Sequence, residues 1–148
     1  VLYLYRFYQN LLYNMLHDVN TDPSEIYKLV DQTCGRPYSI IKRFKTQNFG
    51  SSKYYLESIS KNNFNIDLSN YNNSIGVNFD LRDKGLVFYF RYNNNEYVEA
   101  CIYPQITIQS NDNVFIVQTD KNLYKFGVLN NKKHLKFIKE FFNYKNTN

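Results

Sequence analysis

The chain has 148 residues, 43% of them hydrophobic and 21% charged, which is the balance of a folded globular protein and excludes a disordered segment. A formal net charge of +5 favours acidic partners without naming one. Two cysteines are too few for a disulfide framework, and no apolar run reaches the ~18 residues that a membrane-crossing helix requires.

Residues 1–17 carry Leu4, Phe7, Tyr8, Leu11, Leu12, Met15 and Leu16 at three- and four-residue spacing, which predicts an amphipathic helix. The same stretch has no basic n-region and no small-residue cleavage site, so no secretory signal is read there. A second helix is expected after Asp22, which can cap it, with Pro23 at the first helical position. Ile26, Leu29 and Val30 would form its buried face, and Gly35 would end it. Pro37 opens a short third segment through Phe44. It is expected to bury Ile40, Ile41 and Phe44 and to leave its cations in water. Residues 54–59 also read as helical.

From residue 63 the hydrophobic period changes from 3.6 to 2. Phe64, Ile66 and Leu68 alternate with polar residues, and so do Ile75, Val77, Phe79 and Leu81. Arg82-Asp83-Lys84-Gly85 is a turn, 86–92 a strongly β-prone run, and Asn93-Asn94-Asn95 the next turn. Residues 96–103 return, with Val98, Ala100 and Ile102 on one side; Pro104 then marks a bulge, corner or edge. Further strands are expected over 105–109, 114–118 and 123–128, separated by Asn- and Asp-rich turns. The sum is six or seven short antiparallel strands.

The last element is a helix capped by Asn130 or Asn131 and running to about Tyr144. At 100° per residue, Leu135, Phe137, Ile138, Phe141 and Phe142 fall on one half, and Lys132, Lys133, Lys136, Lys139 and Glu140 on the other. The fold class is therefore α+β: a helical N-terminal region over 1–62, then over 63–148 an antiparallel meander or partly open barrel with a C-terminal amphipathic helix.

The stretch Val114-Phe115-Ile116-Val117, then Leu123-Tyr124-Lys125-Phe126-Gly127-Val128, then the helix from Leu135 to Phe142 resembles the pleckstrin-homology-like (PH-like) superfold in its bacterial PH-like and GRAM-like forms. The resemblance covers about 80 residues and is one of strand–helix pattern. It implies a helix plugging one open end of a bent sheet. It also implies either an anionic-lipid site of closely spaced cations near the first hairpin or a peptide- or protein-binding role. The turn over residues 70–74 holds no basic residue, and the Arg82-Asp83-Lys84-Gly85 turn holds two.

For catalysis the available set is Cys34 as nucleophile, His17 or His134 as base and Asp31 as orienter; nothing in their spacing supports it. A bridge between Cys34 and Cys101 is left open. No Cys-x-x-Cys, His-x-x-x-His, acidic loop or glycine-rich phosphate loop is present, so no metal or other cofactor is expected. Two basic clusters remain. Arg36, Lys42, Arg43 and Lys45 interleave with aromatics, and Lys132, Lys133, Lys136 and Lys139 share a helix face. The expectation is a non-catalytic binding module, cytoplasmic or membrane-peripheral, that recognises a protein partner or an anionic membrane surface. The alternatives are a nucleic-acid binder using residues 36–53 and an enzyme of unknown reaction.

Overall fold

The computed structural model describes residues 15–60 and 64–148. Most of the expected first helix therefore lies outside the described residues, and its end, Met15–Asp18, is a strand, β1. The described elements continue as α1 (Pro23–Cys34), α2 (Ile40–Thr46), β2 (Tyr54–Ile59), β3 (Gly76–Val77), β4 (Phe79–Leu81), β5 (Gly85–Tyr92) and β6 (Asn95–Ile102). A 3-10 turn over Tyr103–Gln105, β7 (Thr107–Ser110), β8 (Val114–Gln118), β9 (Leu123–Gly127) and α3 (Asn131–Asn146) complete them. The fold is α+β, with three helices and two antiparallel sheets among the described residues. One sheet has the order β1-β6-β5-β4 and the other β3-β2-β9-β8-β7, and neither closes into a barrel.

The alternating run from Ile75 to Leu81 serves both sheets. Val77 pairs with Tyr54 in one, and two residues later Phe79 pairs with Phe88 in the other. One short run thus ties the sheets together, and the buried residues Val77, Phe79 and Leu81 stay inside throughout. The hairpin of β5 and β6 turns on Asn93 and Asn94. Both have positive φ, a conformation that asparagine adopts more readily than most residues.

Two expectations fail for the same reason. Residues 54–59 form β2, not a helix, with Tyr54 and Leu56 buried and Tyr55 and Glu57 exposed. β2 pairs with β9 and β3, and β1 with β6, all far away in sequence. Long-range ladders decide short apolar runs whose local pattern fits either state. Conversely, residues 65–68 alternate but form no strand; Ile66 is buried against the core as irregular chain.

The core lies in two layers. Between the sheets and under α3, Phe79, Phe88, Phe115, Tyr124, Phe126, Phe137 and Phe141 form a largely aromatic cluster. On the outer face of the first sheet, Val30 and Cys34 of α1 pack on Val87, Val98 and Ala100. The central strand β6 is consequently buried on both faces: Val98 and Ala100 share the side under α1, in line with the expected alternation, Ile102 is half-buried, and Tyr97 and Cys101 close the other side. α1 starts as expected, with the Asp22 carboxylate accepting from Glu25 N–H and Pro23 in the first turn. It ends at Gly35, whose φ of 92° suits glycine alone among common residues. Gly85 lets α1 approach the sheet: a Cβ there would stand 2.4 Å from the Cys101 carbonyl oxygen and 2.6 Å from Cys34 Sγ. Both cysteines are free and buried.

Candidate docking surface

α2 is the element on which sequence and structure disagree most usefully. The Ser39 hydroxyl accepts from Lys42 N–H at 3.2 Å and starts the helix; Gln47, at φ 57°, ends it. Two aspartates, from β4 and the turn after it, pair with this helix. Lys42 Nζ donates to Asp83 Oδ2 at 2.8 Å and lies 4.1 Å from the centre of the Tyr38 ring. Tyr38 Oη donates to the other oxygen of Asp83 at 2.5 Å, and Arg43 reaches Asp80 at 3.9 Å. The hydrogen bonds from Lys42 and Tyr38 hold the Asp83 carboxyl below its ordinary pKa. Burial, then the hydrogen bonds with Asp83 and Tyr144, push the Tyr38 phenol far up.

Lys42 and Arg43 are thus turned toward the protein, and the apolar face is turned out, the reverse of the sequence expectation. Ile40 is 74% exposed, Ile41 68%, Phe44 62% and, just past the helix, Phe49 53%. Phe44 and Phe49 meet edge-on at 5.2 Å, so the exposed group is one patch. Arg36 and Lys45 are exposed on the same segment and make no ion pair among the described residues. Asn48 fixes the chain behind the patch, donating to the Leu81 carbonyl at 2.8 Å and to Tyr144 Oη at 3.0 Å.

α3 supplies the other side. Asn130 caps it, accepting from Lys133 N–H at 3.0 Å. Its buried row is His134, Phe137 and Phe141, with Leu135 61% exposed and Phe142 half exposed. The apolar half expected from the helical wheel is therefore rotated, and His134 takes the place assigned to Leu135. His134 Nδ1 pairs with Tyr54 Oη at 2.7 Å, and Nε2 pairs with the Ser110 hydroxyl. Burial lowers its pKa, so near neutral pH the ring is a neutral link between α3 and the second sheet. Lys145 is tied down by the carbonyls of Tyr103 and Ile106 at 2.7 Å each. Lys132, Lys133, Lys136 and Lys139 are all exposed. Lys133 and Lys136 face Phe49, Ser51 and Ser52 across an open cleft of about 340 Å³, with Glu140 at its side.

The two basic clusters singled out in the sequence are therefore brought together in part. Arg36, Lys45, Lys133 and Lys136 frame the patch or its cleft; Lys42 and Arg43 position it; Lys132 and Lys139 stand exposed along α3. The apolar patch itself was missed. Its only sequence signal is the run of residues 32–56, which contains five cations and no acid.

The catalytic set does not assemble. Cys34 is fully buried and its thiol is pushed up to about 12 by desolvation, so it is not a nucleophile near neutral pH. Asp31 is engaged by Arg82 at 2.9 Å, and His134 by Tyr54 and Ser110. Arg82, one of the two cations of the turn after β4, is buried between Asp80 and Asp31 and unavailable to a ligand. No group of three or more metal-capable side chains occurs among the described residues. No helix among the described residues is long and apolar enough to cross a membrane. Comparison of the chain with protein-family models, with curated proteins and with solved structures finds no match in any of the three.

Proposed function

We propose that the chain is a non-catalytic binding module of PH-like organisation that docks an acidic partner through the face built by α2, residues 47–53 and the lysine flank of α3. The PH-like reading is supported by two meanders, β4-β5-β6 and β7-β8-β9, in separate sheets, and by a C-terminal helix that seats Phe137 and Phe141 in the core between them. The docking reading rests on one observation: three large apolar side chains of α2 stand mostly in water inside a frame of cations. Leaving them there stabilises nothing in this fold, whereas burying each against a partner would contribute about 1.5–3 kcal/mol.

The test is a binding panel of an acidic amphipathic peptide, a single-stranded oligonucleotide and anionic vesicles, at low and at physiological ionic strength. Wild type should bind at least one probe, more weakly as salt rises. Ile40→Ser/Phe44→Ser should reduce that binding while changing folding stability by about 1 kcal/mol or less, because both side chains are mostly exposed and Phe44 gives up an edge-on contact with Phe49. Binding to none of the probes, or binding that the double substitution leaves intact, would remove the reading. A nucleic-acid role for residues 36–53 is the second reading, carried by the exposed Phe44–Phe49 pair on which bases could stack. It expects oligonucleotide binding that is lost in Phe44→Leu/Phe49→Leu and kept in Ile40→Ser.

A further inference from the structure

We infer that the acidic partner is a lipid bilayer surface, into whose interfacial layer Ile40, Ile41, Phe44 and Phe49 insert while the surrounding cations contact anionic headgroups. This inference rests on the docking reading above and narrows it to one partner. Two features of the face argue for it.

The first is the way the apolar groups are presented. Ile40, Ile41 and Phe44, at 74%, 68% and 62% exposed, protrude, while Phe49, at 53%, lines the open cleft it shares with Lys133 and Lys136. A protein partner would need a matched pocket for each of four differently placed groups. The boundary between headgroups and acyl chains accepts any protruding apolar group without matching. Two aliphatic and two aromatic side chains suit that layer. The isoleucines offer no face for a base to stack on.

The second is charge complementarity. Residues 32–56 carry Arg36, Lys42, Arg43, Lys45 and Lys53 and no carboxylate. Asp83 pairs with Lys42, and Asp80 lies 3.9 Å from Arg43. Arg36, Lys45 and Lys53 are exposed on the segment that carries the patch, and Lys133 and Lys136 line the cleft opposite Phe49. The carboxylate at that cleft is Glu140, which faces Lys136; burial raises its pKa and the lysine draws it back down. Two lysines against one acid leave the cleft net positive. The arrangement has the two parts of a reversible peripheral anchor, apolar insertion and attraction to acidic headgroups, neither of which is sufficient alone.

Co-sedimentation with vesicles of phosphatidylcholine, and of phosphatidylcholine mixed with phosphatidylserine, tests this at low and physiological salt. Wild type should sediment with the mixed vesicles at both salts and stay in solution with the neutral ones. Ile40→Ser/Phe44→Ser should lose binding about tenfold or more at physiological salt and keep part of it at low salt. Lys45→Gln/Lys133→Gln/Lys136→Gln should lose it at both salts. Equal binding to neutral and mixed vesicles, or an unchanged double-serine variant, would overturn the inference. Binding to the acidic peptide without binding to either vesicle would overturn the bilayer and leave the docking module standing; binding to neither would overturn both.

Discussion

Phe79→Ala is expected to destabilise the protein by about 3–5 kcal/mol, enough to unfold a large fraction of a domain of ordinary stability. Phe79 is buried on β4, where the run that links the two sheets enters the first sheet, β1-β6-β5-β4. Its ring lies 5.2 Å from Tyr54, 5.1 Å from Phe88, 5.6 Å from Phe115 and 4.9 Å from Phe126, all near edge-on, and stacks on Phe137 of α3 at 5.4 Å. Both sheets and the last helix therefore meet on one side chain. Truncation removes these contacts and leaves a cavity that five rings cannot jointly collapse into. Urea unfolding measures the loss. Phe44→Ala, made on the exposed patch, is the control and should cost almost nothing. A loss below about 1 kcal/mol at Phe79 would show that the sheets are not joined through this cluster.

Glu99→Gln should make the protein more stable above pH 7 and remove much of its pH dependence between about pH 4.5 and 7. Glu99 is fully buried on β6. One oxygen accepts from Thr119 Oγ1 at 2.6 Å, and Tyr124 and Asn122 lie beside the carboxyl. Desolvation raises the carboxyl to about 7 against partial relief from the uncharged neighbours Thr119, Tyr124 and Asn122. With the folded pKa above the unfolded value of 4.5, the two states hold the same proton below pH 4.5. As pH rises toward 7 the unfolded chain releases it and the folded chain does not, so stability falls, by about 3 kcal/mol in all, and then levels. Glutamine keeps an acceptor for Thr119, gains donors that Tyr124 can accept, and never ionises. Burial also raises Glu140 and lowers His134, so the informative quantity is wild type minus variant at pH 5 and pH 8. An equal slope in the two proteins would mean that Glu99 does not carry the proton.

The sequence was legible where local chemistry and tertiary structure agree. α1 has its Asp22 cap, Pro23 start and Gly35 stop; β8 spans the expected residues; α3 begins at the Asn130 cap. It was misleading where a distant partner decides. Tyr54–Ile59 takes its state from β9 and β3, and Met15–Asp18 from β6. The helical wheel of α3 placed Leu135 inside and His134 at no particular position, because it cannot foresee that Tyr54 and Ser110 offer the ring two polar partners. Glu99 lies on the side of β6 opposite Val98 and Ala100, and its burial comes from the strand being covered on both faces.

The candidate site shows the same division. Its cations were legible as clusters, since Arg36, Lys42, Arg43, Lys45 and the α3 lysines lie close together in sequence. Their roles were not, because Asp80 and Asp83, some 40 residues downstream, take Lys42 and Arg43 out of the cation surface and expose Ile40, Ile41 and Phe44 instead. An amphipathic segment buries its apolar side by default. Here α2 turns Lys42 and Arg43 toward Asp83 and Asp80 and leaves the apolar side exposed.

The most direct test of the docking face uses the fact that the chain contains no tryptophan. Phe44→Trp places a single emitter on the patch, at a site exposed enough to accept it. On titration with phosphatidylserine-containing vesicles, its emission should shift to the blue and become shielded from aqueous quencher, while neutral vesicles leave it unchanged. An emission that stays that of a water-exposed indole, under conditions where the protein co-sediments with those vesicles, would mean that binding occurs elsewhere and that this face is not the docking surface.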